Sequence, residues 1–285
     1  MLTIFTTCKP FKDEFELIQT NALNSWKKLF PHIEIIIFGN EHGVDKISHQ
    51  LGIRNIKNVP MRNGLPVLRE IFYIAQKVAR YNVLCYTNAD IIFAKGLLET
   101  LSCVKKFLKI FLIVGTRFNV KVDFYIDFNN KWQDSLIEYA TKYGSRHYTN
   151  RAFDYFIFPR GLFYNLPPFV IGRIGWDNHF FTKILKKRIP IFDATNSIFA
   201  IHQEHSYTNA PGGYEEVWFG KDSQYNLQFV RKIDVEHSTD DAQFKIICVK
   251  NNKYKIIPSN LGIKRYLTLS FPHLKYFLRS LTHLL

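Results

Sequence analysis

The chain has 285 residues, of which 47% are hydrophobic and 16% aromatic, so it can bury a large core and is not a disordered protein. Its formal net charge of +14 indicates an anionic partner, such as a nucleotide, a nucleic acid, an anionic lipid or an acidic polymer. The sequence has no zinc-finger spacing, basic low-complexity tail or RNA-binding aromatic signature, which makes nucleic-acid binding the weaker interpretation.

The first half of the chain alternates short strands with helices. Apolar runs predict strands at residues 2–7, 33–38, 53–59 and 82–86. Helical periodicity predicts helices at residues 13–30, 44–51 and 65–79, the last of them with Pro66 in its first turn. Such alternation is typical of an α/β fold with a mostly parallel, Rossmann-like sheet flanked by helices, in which ligands bind at the carboxyl ends of the strands.

The second half is less regular. Strands are predicted at residues 108–116, 155–159, 190–194 and 197–201, and helices at residues 132–143 and from Gly172 to about Lys187. No GxGxxG follows the first strand and no GxxxxGK[ST] occurs anywhere, which disfavours dinucleotide oxidoreductases and P-loop NTPases.

Cysteine usage and the first residues suggest a cytoplasmic protein. The four cysteines are scattered and read as free core thiols of a reducing compartment. The chain starts directly with a short strand, so no signal peptide is expected, and the longest apolar runs, such as residues 110–115, are far too short to cross a bilayer.

A first chemical motif follows the strand at residues 82–86. Asn88 and Asp90 place an amide and a carboxylate two residues apart at the carboxyl end of that strand. Oxygen ligands of this kind suit Mg²⁺ or Mn²⁺, which then leaves coordination positions open for phosphate oxygens. The alternative is that the two residues only turn the chain at a strand end.

A second motif opens the helix near Gly172. Asp177 lies in the first turn beside Trp176, and a carboxylate next to an aromatic wall can act as a base toward a sugar hydroxyl. The alternative is that Asp177 caps the helix.

A third candidate is the pair His202 and His205 at a strand end. Two imidazoles three residues apart can bind a metal, or they can be ordinary structural residues. Zinc hydrolysis fits poorly because the sequence has neither HExxH nor a cysteine cluster with zinc-ligand spacing.

Taken in order, these segments resemble the GT-A fold of nucleotide-sugar glycosyltransferases. The resemblance rests on the strand ending in Thr6 and Thr7, on TNAD at residues 87–90, on GRIGWDN at residues 172–178 and on HQEH at residues 202–205. It covers about residues 2–229, and Asn88 stands where the DxD motif of that family has its first Asp.

The resemblance implies a role for each motif. Mn²⁺ or Mg²⁺ would be bound by Asp90 with His202 or His205, and Asp177 would be the catalytic base of an inverting transferase. Two further residue groups follow from it. The donor-binding residues would be Thr6, Thr7, Arg69 and Asn88, and the acceptor-binding residues would be Asp154, Arg173 and Trp176.

The C-terminal region is predicted to be an extension, residues 231–285, behind a transferase domain at residues 1–230. Its last part, residues 261–285, mixes apolar residues with Lys264, Arg265, Lys275 and Arg279, and Pro272 would interrupt any helix there. Either this segment lies on an anionic membrane surface or it packs on the core. Membrane contact would place the protein at the inner face of the plasma membrane.

The sequence therefore predicts a metal-dependent glycosyltransferase. Its expected partners are a nucleotide-diphosphate sugar and a glycan or lipid-linked acceptor, as in polysaccharide biosynthesis. Two rival functions remain: a non-catalytic protein that binds nucleic acid or another polyanion, and a nucleotidyltransferase, which would need carboxylates for two metals.

Overall fold

The structure is a computed structural model that describes residues 1–29, 33–147, 149, 151–206, 212–249 and 253–259. Its main sheet contains nine strands: β1 (Thr3–Thr7), β2 (Glu34–Phe38), β3 (Arg54–Ile56), β6 (Val83–Thr87), β8 (Leu112–Gly115), β11 (Tyr155–Pro159), β12 (Ile191–Asp193), β14 (Phe244–Val249) and β15 (Lys253–Pro258). A second sheet has four strands: β7 (Ile91–Lys95), β9 (Phe118–Val120), β10 (Ser145–Arg146) and β13 (Phe199–Gln203). A small hairpin pairs β4 (Met61–Arg62) with β5 (Leu65–Pro66).

Helices cover both faces of the main sheet. Over the described residues they are α1 (Asp13–Leu29), α2 (Val44–Leu51), α3 (Leu68–Val78), α4 (Leu97–Lys105), α5 (Trp132–Tyr143), α6 (Trp176–Lys186), α7 (Gly213–Phe219) and α8 (Lys221–Leu227). None of these described helices has the length and apolar content that a membrane span needs.

The main sheet is mostly parallel, which confirms the predicted fold class. Its strand order is β15-β14-β12-β8-β11-β6-β1-β2-β3. β11 runs antiparallel to β6 and β8, and β15 runs antiparallel to β14, while the other neighbouring pairs are parallel. The carboxyl ends of β1, β2, β6 and β8 therefore meet at one edge, and because β11 is antiparallel, its first residue is at that edge too.

Two apolar cores lie on opposite faces of this sheet, because neighbouring residues of a strand point to opposite sides. In β1, Ile4 belongs to the core beneath α1 and the second sheet, whereas Phe5 belongs to the core beneath α3 and α6. Both side chains are fully buried. Central strands such as β1 and β6 are therefore buried along nearly their whole length, as expected of a sheet covered on both faces.

The structure differs from the sequence prediction at several elements. The helix predicted at residues 65–79 begins only at Leu68, because Asn63 and Gly64, with φ of 50° and 78°, form the turn of the β4–β5 hairpin. Strand β7, helix α4 and the second sheet were not predicted. Cys8 and Cys85 are buried free thiols as expected, but Cys248 is exposed, because β14 pairs with β12 only through Phe244 and Lys245.

The predicted extension contributes directly to the main sheet. Strands β14 and β15, within residues 231–285, continue the sheet beyond β12. The basic apolar segment at residues 261–285 lies outside the described residues, and its packing stays a prediction.

Candidate functional site

The turn between β6 and β7 carries Asp90 to the carboxyl edge of the main sheet. Strand β6 pairs with β1, and the backbone N–H of Ile91 donates to the carbonyl of Asn88 at 3.2 Å, which closes the turn. Ala89 is buried beneath it, whereas Asn88 is exposed and Asp90 is half-buried. Strand β7 then leaves the main sheet and joins the second one.

Strand β13 brings the two histidines to Asp90. It pairs antiparallel with β7, and the register sets His202 opposite Ile91. Gln203 fixes this arrangement from a fully buried position: its backbone N–H donates to the Asp90 carbonyl at 3.1 Å, and its side-chain amide donates to the Ile18 carbonyl at 2.8 Å. Gln203 therefore links strand β13 both to the Asp90 turn and to helix α1.

Asp90, His202 and His205 form a compact group of possible metal ligands. One ligand atom from each lies within 4.8 Å of the others. The Nε2 atom of His205 is 3.2 Å from Asp90 Oδ2, and the Nε2 atom of His202 is 3.7 Å from the same oxygen. The fold thus brings Asp90 and His205, which are 115 positions apart in sequence, within hydrogen-bond distance.

The protonation states of Asp90 and His202 suit a cation. Desolvation acts to raise the pKa of Asp90, but His202, His205 and Lys9 outweigh it and hold that pKa below its usual range. Burial lowers the pKa of His202 to about 4 although Asp90 opposes the shift, so the ring is neutral at pH 7. Metal binding requires an ionised carboxylate and neutral imidazoles.

Unsatisfied atoms in the group also fit a cation. Among the described residues, Asp90 Oδ1 and His202 Nδ1 are buried without a hydrogen-bond partner. Both ring nitrogens of His205 face oxygens, since Nδ1 is 2.9 Å from the Ser206 carbonyl and Nε2 is 3.2 Å from Asp90.

A second carboxylate, Asp154, lies at the same edge. It directly precedes β11, and its backbone accepts a hydrogen bond from the Thr87 hydroxyl at 2.9 Å. Its side chain is buried and pairs with the guanidinium of Arg117, which follows β8. Desolvation raises the pKa of Asp154 and Arg117 opposes that rise, while the negative charge of Asp90 adds to it.

Asp177 is the second residue of α6 and is half-buried. Desolvation raises its pKa to about 6, backbone N–H groups of Asn178, Asp177 and Phe153 lower it, and Asp154 raises it further. The helix is capped by Gly175, without a side-chain hydrogen bond. Asp154 is therefore close enough for its charge to act on Asp177, and the charge of Asp90 acts on Asp154 in turn.

The predicted donor residues occupy different positions. Thr6 is buried at the end of β1 and its hydroxyl donates to the Thr7 carbonyl at 3.1 Å, while Thr7 is half-buried at the same edge. Asn88 is exposed there. Arg69 is in the first turn of α3, and its Nε atom pairs with Glu70 at 2.8 Å. Their donor roles stay predictions.

The predicted acceptor residues are also spread. Trp176 is only 9% exposed, because its ring packs against Tyr86, Phe156 and Phe180 at centroid distances of 5.4, 5.6 and 5.3 Å. Most of the aromatic face that the sequence assigned to the acceptor is thus in the core. Arg173 is half-buried and donates to the carbonyl of Gly172 at 3.0 Å.

Three residues of the site were missed from the sequence. Arg117 pairs with Asp154, Lys9 acts on Asp90, and Gln203 holds the Asp90 turn. Arg117 follows a predicted strand directly, which is the signal that singled out Asp90, but a lone arginine there is not distinctive. The ammonium of Lys9 lies 3.9 Å from the centroid of the Phe15 ring, and that ring packs against His205 at 5.0 Å.

A groove of about 410 Å³ lies at the carboxyl ends of β2 and β3. It is lined by Gly39, Asn40, Lys57, Asn58, Val59, Pro60 and Met61. It therefore opens at the same sheet edge as Thr7 and Asp90.

No protein-family model matches the chain, and no curated protein matches it. Several solved structures are similar to this chain. Those similar to this chain include S. aureus TarS, with 13% identity over 43% of this chain and a TM-score of 0.34, and TarS in complex with UDP-GlcNAc, with 14% identity over 45% and a TM-score of 0.34. The matched part spans 22% to 39% of the TarS chains.

Another similar structure is glucosyl-3-phosphoglycerate synthase from Mycobacterium tuberculosis in complex with Mn²⁺, UDP and phosphoglyceric acid. It shares 12% identity over 92% of this chain and 88% of its own, with a TM-score of 0.47. Structures similar to this chain thus include complexes that contain UDP or a UDP-sugar. Because all these TM-scores are below 0.5, function is inferred from the geometry of the site.

Proposed function

We propose that this protein is a metal-dependent glycosyltransferase that moves a sugar from a nucleotide-diphosphate sugar to an acceptor hydroxyl. One observation supports this most: the Asp90, His202 and His205 group shares a sheet edge with Asp177, a carboxyl group whose pKa is raised to about 6. A cation site for a diphosphate and a base for a hydroxyl are the two groups that sugar transfer needs.

Asp90, His202 and His205 would hold the metal. Two imidazole nitrogens in the set favour Mn²⁺ over Mg²⁺, because Mg²⁺ takes oxygen ligands almost exclusively. When bound, the cation would neutralise charge that develops on the leaving diphosphate. Asp90 supplies a permanently ionised carboxylate at neutral pH, and neutral His202 offers a lone pair without first losing a proton.

Asp177 would accept the proton of the acceptor hydroxyl. With a pKa of about 6 it is mostly ionised at pH 7, yet it is a stronger base than a solvated carboxylate. The charge of Asp154 acts on Asp177, and Arg117 balances that charge. The sugar would invert at the anomeric carbon, because a base that activates the acceptor allows direct displacement of the diphosphate.

The nucleotide would lie along the carboxyl ends of β1, β2 and β3. Thr6, Thr7 and Asn88 are at that edge, and the groove beside Asn40 and Asn58 has about 410 Å³. That volume is in the range of small-ligand sites. Arg69 stays a further donor residue, and Asp154, Arg173 and the exposed edge of Trp176 stay acceptor residues.

The acceptor would be a glycan or a lipid-linked molecule, as in polysaccharide biosynthesis. The protein would be cytoplasmic, at the inner face of the plasma membrane. The two rival functions find less support. Within the part of the chain that the structure describes, only one group of possible metal ligands occurs, whereas a nucleotidyltransferase would need ligands for two metals.

The proposal is tested by a screen of nucleotide sugars with Mn²⁺. A donor should raise the melting temperature only when Mn²⁺ is present, because a ligand that binds the folded state stabilises it. Slow Mn²⁺-dependent hydrolysis of the same donor should accompany the shift. Stabilisation by heparin, DNA or RNA but by no nucleotide sugar would instead favour the polyanion-binding protein.

A further inference from the structure

Two apolar side chains, three residues apart in sequence, are exposed in the turn that follows α4. Phe107 is 73% exposed and Ile110 is 58% exposed, in the short stretch before β8 begins at Leu112. Exposed apolar side chains that are rimmed by polar residues can form part of a protein or membrane interaction site.

Exposed lysines flank this apolar pair in sequence and line the adjoining groove between α4 and β15. The "basic apolar surface" is defined here as Phe107 and Ile110 together with five exposed lysines: Lys105, Lys106, Lys109, Lys253 and Lys255. No carboxylate of the described residues lies within salt-bridge distance of these lysines. The surface therefore carries a charge that its own fold does not neutralise.

The surface is preformed because α4 and β15 pack against each other. The thiol of Cys103 in α4 is 3.5 Å from the Tyr254 carbonyl in β15. Between the two elements runs a groove of about 900 Å³. Of the described residues that line it, Glu99 is the only acidic one, and Lys105, Lys106, Lys253 and Lys255 are basic. The amino group of Met1 also borders this groove, and Lys105 lowers its pKa in addition to burial.

The topology sets the apolar turn apart from the candidate active site. Residues 106–111 lead into β8, so they lie at the edge where the parallel strands begin. The site of Asp90 and Asp177 lies at the edge where those strands end. A partner bound at Phe107 and Ile110 would therefore leave the site open.

The sequence beyond β15 has the same chemistry. Residues 260–285 contain four Lys or Arg residues and no Asp or Glu. They continue from β15, the strand that carries Lys253 and Lys255. Stable membrane attachment commonly needs two weak signals, and a second basic segment leaving the same strand would supply one.

We propose that the basic apolar surface docks on a lipid bilayer that contains anionic lipids. The lysines would be attracted by the negative surface potential, and Phe107 and Ile110 would enter the boundary between head groups and acyl chains. A soluble polyanion would use the lysines alone, so the two exposed apolar side chains favour the bilayer. This proposal does not depend on the transferase activity.

The test uses the full chain and sedimentation with vesicles of phosphatidylcholine with or without phosphatidylglycerol. The wild type should bind only the anionic vesicles, and less at high salt. The triple variant Lys105→Gln, Lys106→Gln, Lys109→Gln should have a partition coefficient about 100-fold lower, because each basic residue near the anionic surface contributes a factor of roughly five. Phe107→Ser with Ile110→Ser should lower it at least about tenfold. Both sets change exposed residues and should not disturb folding.

The matched control is Lys142→Gln with Tyr143→Ser at the end of α5. Tyr143 is 62% exposed and Lys142 lies 5.0 Å from its ring centroid, so this pair has the same chemistry at another place. Its vesicle binding should equal that of the wild type. In a Phe107→Trp variant, the new indole should be quenched by lipids with a quencher on the acyl chain.

Three results would overturn the proposal. The wild type could ignore anionic vesicles at low salt, or the lysine variant could bind them as the wild type does. In the third case, the indole of the Phe107→Trp variant stays unquenched when the protein is bound to vesicles. In addition, the triple lysine variant no longer binds heparin, whereas the variant with Phe107→Ser and Ile110→Ser still does. That pattern would mean that the surface binds a soluble polyanion.

Discussion

Replacing Asp177 by Asn should make the protein more stable and less active at the same time. The pKa of Asp177 is raised from 3.8 to about 6 in the folded chain, so ionisation is harder in the folded state than in the unfolded state. Between these two pH values the folded state binds more protons, and stability falls as pH rises. Above pH 6 the ionised carboxylate therefore lowers the free energy of unfolding.

The size of this effect follows from the shift. About 2.2 pKa units at 1.36 kcal/mol each give about 3 kcal/mol as an upper bound. Asp177→Asn should thus raise the free energy of unfolding by up to about 3 kcal/mol at pH 8 and by almost nothing at pH 3. Turnover should fall by roughly 10²- to 10⁴-fold, since the amide cannot accept the proton. In the wild type, kcat should fall about tenfold per unit below pH 6.

Urea unfolding at several pH values and donor turnover measure the two effects. The matched control is Asp134→Asn, an exposed carboxylate in the first turn of α5, which also begins with a tryptophan. It should change stability by only a few tenths of a kcal/mol and leave turnover unchanged. If Asp177→Asn lowers stability at pH 8 and keeps normal turnover, Asp177 serves the helix and is not the base.

Three further predictions concern the surroundings of the site. Gln203→Leu removes the side-chain hydrogen bonds to the Ile18 and Asp90 carbonyls. It should lower the free energy of unfolding in urea by about 3 kcal/mol and weaken Mn²⁺ binding. Unchanged stability would mean that these hydrogen bonds do not hold the Asp90 turn in place. Arg117→Ala leaves the buried Asp154 carboxylate without its cationic partner and should lower the free energy of unfolding by about 3 kcal/mol. Arg117→Lys should recover part of this loss. Equal stability of the wild type and both variants would show that the ion pair does not contribute. A thiol reagent should modify exposed Cys248 quickly but reach buried Cys8 and Cys85 only after unfolding.

The parallel half of the fold was predictable because its patterns are local. Strands β1, β2 and β6 are short runs rich in apolar and β-branched residues, and α1 repeats its buried residues with helical spacing. The prediction that strand ends meet at one edge followed from this alternation alone. The helix start at residue 65 was wrong because Pro66 was given more weight than the Asn63-Gly64 pair, which is a strong hairpin signal.

The second sheet was not predictable, because its strands pair across large sequence distances. Strand β7 follows Asp90 directly and pairs with β13, about 100 residues later, and no local pattern encodes that partner. The orientation of Trp176 was also hidden. A tryptophan beside a glycine could face a ligand or the core, and only the packing of Tyr86, Phe156 and Phe180 decides between them.

The proposed function depends on one catalytic cation bound by Asp90, His202 and His205. Electron paramagnetic resonance of Mn²⁺ added with UDP to the full chain tests it directly, because the spectrum reports nitrogen ligands. We expect one bound Mn²⁺ coupled to imidazole nitrogen, lost in Asp90→Ala and kept in Asp45→Ala, a carboxylate paired with Lys57 on an exposed helix. Mn²⁺ bound without nitrogen coupling, or bound equally by Asp90→Ala, would contradict the claim.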